Sequence, residues 1–249
     1  MTPPVSPAPE PPPPGMSEFA RMTGVYFDPK PAFADIAARP RWWAPLVLLI
    51  VLAMGFTFAY SKRVGWERFM RQTLESNPRT QNLTAEQREQ AIALQTKIAS
   101  IGGYVGPAVA LPVYMLVVAG VMLLVFNTML GAALTFRKIF GITCYSALTG
   151  VVGTALAILV MFLKNPEDFD LRNPTAFNVG AFLDPQTTSK WLHSMATSLD
   201  LFSIWTILLL ATGLSVAAPK VSWSKALIAV IVPWIVYIVL KSLWVSIFS

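Results

Sequence analysis

Two apolar runs, residues 201–218 and 225–248, are separated only by the short connection Pro219–Ser224, and this pattern constrains the chain more than any other. Each run comes near or reaches the ~20 residues that a helix needs to cross the hydrocarbon of a bilayer. The shortness of the connection makes the two helices antiparallel neighbours. Asp200 stands 18 residues before Ala218, and Lys241 stands 16 residues after Lys225, which is about 27 and about 24 Å of helix. An acid and a base are thus expected at matched depth on adjacent helices, where ionisable groups are costly unless paired. Asp200 and Lys241 are expected to form a structural ion pair that locks the hairpin. Pro233 lies within the last run, lacks an amide donor and is expected to kink that helix.

The rest of the chain agrees with a membrane setting. Apolar residues make up 55% and charged residues 13%, with a mean hydropathy of +0.57, far from the balance of an ordinary soluble domain. The expected fold class is all-α: a polytopic membrane protein with five transmembrane helices at 44–60, 104–133, 142–163, 201–218 and 225–248. Residues 25–249 form one five-span membrane domain in this reading. Residues 1–24 are expected to be a disordered, proline-rich tail, because eight of the chain's 20 prolines fall in Met1–Gly15. No continuous apolar stretch of signal-peptide type opens the sequence. The net charge of +6 is spread over every polar segment, which suits anionic lipid head groups and gives no reason to expect nucleic acid. Cys144, the single cysteine, falls inside a span and reads as a core residue.

Amphipathic segments flank the spans. In 64–76, Trp66, Phe69, Met70, Thr73 and Leu74 share one helical face and charges hold the other. Before the fourth span, Trp191, Leu192, Met195 and Leu199 form a second apolar stripe. These segments are expected to be interfacial helices, although periodicity leaves open whether lipid or the protein's own spans cover them. Thr84 and Gln87 make a capping box that starts a helix leading into the second span. Ahead of the first span, Asp28 is placed to cap a short helix with Pro29 at its first position. Small residues Gly150, Gly153 and Gly213 allow close approach between helices.

Candidate chemistry is sparse. His193 is the only histidine, so a two-histidine metal motif is excluded. Gly213-Leu214-Ser215 begins a serine-hydrolase pattern but has no later histidine to serve as base. No catalytic residue, cofactor or metal ligand is expected. A transporter should bring polar groups together at the midplane, and the spans show no such set. Basic residues barely orient the bundle, with eight on one side against ten in the two long connections. Arg137, Lys138, Lys220 and Lys225 in the tight turns favour an inward amino terminus.

Asp200 through Trp205, followed by Leu209, Gly213, Pro233, Trp234 and Lys241, resembles the carboxy-terminal signature of the Yip family of five-span membrane proteins. Pro31, Phe33, Ile36, Pro40 and Pro45, and the turn from Phe136 to Phe140 before Tyr145, resemble its other recurring features. The similarity extends over roughly 25–249. The resemblance implies a cytosolic amino terminus and no enzymatic activity. Eukaryotic members of that family work with small GTPases of vesicle traffic, and some bacterial members accompany multi-component ABC exporters. The compact size and long outer connections are similar to the bacterial branch. The expected function is a non-enzymatic scaffold or accessory subunit in the cell inner membrane. Its expected partners are the lipid bilayer and either a membrane protein, which the resemblance implies to be part of an ABC exporter, or further copies of itself. A small-solute transporter or channel and a membrane-shaping or trafficking protein are the alternatives.

Overall fold

The structure is a computed structural model that describes residues 15–75, 80, 83–171, 173–184 and 187–248. Most of the expected tail, residues 1–14, lies outside the described residues. The tail nevertheless ends earlier than expected. Ser17 caps a helix, α1 (Glu18–Phe27), by accepting the Ala20 amide at 3.1 Å. Helix α2 (Pro29–Ala38) follows directly, with Pro29 opening it and Asp28 making no side-chain cap bond.

Three long helices come next in antiparallel order: α3 (Trp43–Arg63), α5 (Ala85–Leu124) and the pair α6 (Phe136–Ser146) and α7 (Thr149–Leu163). Gly65, at φ +87°, turns the chain from α3 into α4 (Trp66–Glu75). The capping box forms, with the Thr84 amide donating to Gln87 and the Gln87 amide donating to Thr84. Because α5 starts there, Pro107 and Pro112 lie well inside a continuous helix, which packed membrane helices tolerate. A π-helical turn, Val125–Met129, ends the span. There the Asn127 side chain closes the loop, donating to the Leu134 carbonyl at 2.9 Å and accepting its amide at 2.8 Å.

The third span starts at Phe136, before the expected residue 142, and is broken between α6 and α7. Tight bonds from Gly150 to the Ala147 carbonyl and from Val151 to the Leu148 carbonyl carry the chain across the break. Helix α8 (Lys190–Ser198) precedes α9 (Leu201–Ala217), and α10 (Trp223–Phe248) closes the chain. Four helical stretches are long and apolar enough to cross a membrane, and α9, at 17 residues, is a shorter fifth. Among the described residues the only non-helical pairing is an isolated antiparallel bridge between Asn178 and Asp200.

Helix α6 is the hub. Residues 139–146 are all buried, surrounded by Phe33 and Ile36 of α2, Met115, Ala119 and Met122 of α5, and Leu210 and Leu214 of α9. Cys144 is fully buried in this core. The amphipathic face of α2 is thus spent on the protein's own helices. A second apolar cluster of Tyr60, Met161 and Phe169 sits at the opposite end, with Trp66 packed against it.

Candidate functional site

At the carboxy-terminal hairpin, the Trp223 indole N–H donates to Thr212 Oγ1 at 3.1 Å, which sets the register of α9 against α10. Asp200 is 12 residues back from Thr212 and Lys241 is 18 residues on from Trp223, so the lysine stands six residues, about 9 Å, too far along. The expected Asp200–Lys241 pair does not form. Asp200 Oδ1 instead accepts the amides of Phe202 and Ser203, each at 3.0 Å, and caps α9. Lys241 Nζ donates to Ser198 Oγ at 2.9 Å, at the carboxy-terminal end of α8, where the helix dipole favours a cation. Ser242 and Ser194 hydroxyls meet beside it at 3.3 Å. The two helices do not simply mirror each other about the turn, because the Trp223 side chain at the start of α10 lies against Thr212, inside α9. Pro233 sits within α10 and leaves the Ala229 carbonyl without its helical amide donor.

The three glycines differ. A methyl group on Gly213 would stand 2.5 Å from Ile142 and 2.8 Å from Phe33, and one on Gly153 would stand 3.3 Å from the Phe202 ring. On Gly150 it would meet only Leu49 at 3.7 Å, an ordinary contact. Gly213 is therefore the point where α2, α6 and α9 converge. Gly150 and Gly153 border a groove of about 390 Å³, lined mainly by apolar side chains such as Phe56 and Pro107.

The two amphipathic segments go opposite ways. In α4, Met70 and Leu74 are buried with Ile92 of α5. Arg71 bridges Glu67 at 3.1 Å and Glu89 at 2.7 Å. The Trp66 ring packs on Tyr60 at 5.0 Å between centroids and on Phe69 at 6.4 Å. It fills the space a side chain on Gly103 would take. In α8, small residues Ser194 and Ala196 face inward, Met195 is half-buried, and Trp191 and Leu192 are exposed. Apolar area thus covers protein in α4 and points outward in α8.

Sequence reasoning missed the largest polar constellation, at the amino-terminal end of the bundle. Arg21 is 1% exposed; its Nε donates to Asp35 at 2.6 Å and its guanidinium pairs with Glu18 at 3.3 Å. Arg39 also pairs with Asp35, Arg41 with Glu18 at 3.5 Å, and the Tyr145 hydroxyl donates to Glu18. Burial acts to raise the Asp35 carboxyl, but hydrogen bonds from Arg21, the Met16 amide and Arg39 outweigh it and hold it below the usual carboxylate range. Close by, the Tyr26 hydroxyl donates to the Leu148 carbonyl at the α6–α7 break, and its ring meets Trp205 edge-on at 5.6 Å. The set fastens the α1–α2 hairpin to α6 and α9. Three arginines stand against two carboxylates, and each carboxylate is taken up by cations and hydroxyl or amide donors. The available signal was local: Glu18 with Arg21 and Asp35 with Arg39 are helix-spaced pairs, hidden by the assignment of residue 18 to the tail. Among the described residues no three His, Cys, Asp or Glu side chains gather where a metal would bind.

Residues 23–243 match the Yip1 domain family. The chain is similar to membrane protein YknW of Bacillus subtilis (strain 168), at 26% identity over 215 residues that cover 85% of this chain and 86% of that protein. No solved structure matches.

Proposed function

The chain belongs to the Yip1 domain family of membrane proteins, and from that premise we propose that it works without catalysis, as an accessory subunit docked on another membrane complex. The observation that carries this reading is the seated amino-terminal hairpin. Helix α1 is held to the bundle by Arg21 and Tyr26, yet it presents Phe19 and Phe27, 77% and 88% exposed, to the outside. These rings lie eight residues apart on one helical face, next to the exposed cations Lys30, Arg39 and Arg41. A rigid helix with projecting aromatic side chains and a cationic rim has the make-up of a protein-docking surface. In this reading the partner is a membrane complex of the ABC-exporter class, the amino terminus is cytoplasmic and the membrane is the cell inner membrane. Transport by the chain itself has less support, because Asp200 and Lys241 are each committed to a neighbouring helix end.

The test is affinity purification of the full chain from native membranes in mild detergent. A stoichiometric membrane partner is expected with the wild type. It should be lost from Phe19→Asp/Phe27→Asp protein that accumulates normally. Recovery of the wild type without such a partner overturns the reading, as does a partner that the double variant retains.

A further inference from the structure

The fourth span is a broken helix. Ser194 of α8 meets Ser242 of α10, and Thr212 of α9 meets Trp223. These contacts are 18 residues apart on one side and 19 on the other, so α8 and α9 follow α10 in one register. The break falls at Leu199 and Asp200, which both leave helical backbone angles. A non-helical segment pairs with it. The Val179 amide donates to the Leu199 carbonyl at 3.2 Å, and the Leu201 amide donates to the Phe177 carbonyl at 3.0 Å. The Asn178 side chain donates to Asn173 at 2.7 Å. A methyl group on Gly180 would stand 2.4 Å from the Thr197 side chain, so the segment is seated closely on α8.

The depth of the segment follows from its neighbours. The Phe202 ring, beside the bridge, lies 3.3 Å from where a methyl group on Gly153 would stand. Gly153 is 11 residues before Lys164, about 16 Å down α7, and the hydrocarbon layer is about 30 Å thick. Arg63 donates to the Lys164 carbonyl at 3.4 Å, so α3 and α7 end at one level. Residues 173–179 therefore reach the middle of the bilayer, yet none of those described is buried. Ala176 is held there in the left-handed region, at φ +53°, a strained setting for a residue with a side chain. Among the described residues, the amides of Thr175, Ala176, Phe177 and Asn178 find no hydrogen-bond partner. Irregular backbone at this depth requires burial in protein or contact with water, because lipid tails leave its polar groups unsatisfied.

Room for water adjoins the segment. Pro174 and Thr175 border the groove of about 390 Å³ that also touches Ala53, Thr57 and Thr154. The Thr57 hydroxyl is committed to the Ala53 and Gly103 carbonyls, whereas those of Thr154 and Thr175 have no partner among the described residues. Together with the free amides they supply the several polar contacts that ordered water needs. Tyr60, Met161 and Phe169 close the α3–α7 seam above the groove, and buried residues 139–146 of α6 close the bundle below it. The way in is the connection that carries the exposed side chains of Asn165, Glu167, Asp168 and Asp170. We propose that segment and groove form a water-filled half-channel, open at the face that carries Arg63 and Lys164 and ending at the middle of the bilayer. It presents amide and hydroxyl groups to water at that depth, and the α6 core seals the remaining half. This inference stands apart from the accessory-subunit reading, which uses the opposite end of the fold.

The experiment is thiol labelling of the full chain in liposomes, with a membrane-impermeant maleimide supplied on both faces. Labelling requires the thiolate, which forms in water and not in hydrocarbon. Thr154→Cys, Thr175→Cys and Ala53→Cys, at three positions bordering the groove, are each expected to be labelled in the folded protein. Val51→Cys, near the depth of Ala53 and exposed on α3 away from the groove, is expected to be labelled only after denaturation. The same holds for the native Cys144, buried in the core. A variant whose thermal midpoint falls below that of the wild type is set aside, and the remaining groove positions decide. Resistance of any folded groove variant overturns the proposal, because the groove is then dry or covered. So does equally fast labelling of Val51→Cys, which would place this level outside the hydrocarbon.

Discussion

Asp200 and Lys241 were expected to answer each other, and each answers a helix end instead. The carboxylate satisfies two otherwise orphaned amides at the start of α9, a role that requires an acceptor and no cation. The ammonium joins α10 to α8 through Ser198. Their separate roles lead to a distinctive double-mutant result. Lys241→Ala is expected to destabilise by about 1 kcal/mol, the worth of one hydrogen bond. Asp200→Lys also costs about 1 kcal/mol or more, through loss of the cap and a cation placed at the positive end of a helix. The charge swap Asp200→Lys/Lys241→Asp is expected to be at least as destabilised as the worse single change in thermal unfolding in detergent. Rescue by the swap would restore the direct ion pair.

At the scale of elements, periodicity located helices well and their cover poorly. The capping box at Thr84 and the apolar stretches named where α5, α9 and α10 run, because caps and hydrophobic length are local properties. The stripes of α4 and α8 look alike in sequence, yet one is buried on α5 and the other points outward, since a helical face does not specify its neighbour. The same limit applies to small residues. Gly150 and Gly213 read identically as packing positions, but only Gly213 lies against other side chains at short range. Gly213→Ala is expected to cost about 1–3 kcal/mol by overpacking between Phe33 and Ile142, whereas Gly150→Ala should be neutral or slightly stabilising in α7. Thermal unfolding of the two variants side by side checks this; equal midpoints would contradict the convergence of α2, α6 and α9 at Gly213.

For the molecule as a whole, the amino-terminal hairpin is braced internally by Arg21 and Asp35 and is tied to α6 through Glu18 and Tyr145 and to α9 through Tyr26 and Trp205. Asp35 has its folded value held below its ordinary 3.8, so the unfolded chain binds the proton more readily. Its contribution is therefore complete above about pH 4, on that ordinary value, and disappears as the pH falls through the lowered folded value. Acidification below pH 4 is expected to loosen α1 from α2, read as faster protease cleavage near Thr23, while α2 stays seated through Phe33 and Ile36. Arg21→Met, which cannot hold Asp35, should loosen α1 already at neutral pH. An acid-insensitive hairpin would remove the charge cluster from this role.

From sequence alone came the membrane setting, the helical class, the position of most apolar helices and the family resemblance. All of these rest on runs, caps and turns within a few tens of residues. Only the tertiary structure decided that residues 18–24 join the bundle, that the Trp223 side chain lies against Thr212, and which partners Arg21, Asp200 and Lys241 take. Those outcomes depend on offsets between packed helices, such as the axial offset of about 9 Å by which Lys241 overshoots Asp200. Apolar patterning tolerates such offsets without any change in the residues, whereas hydrogen bonds and ion pairs do not.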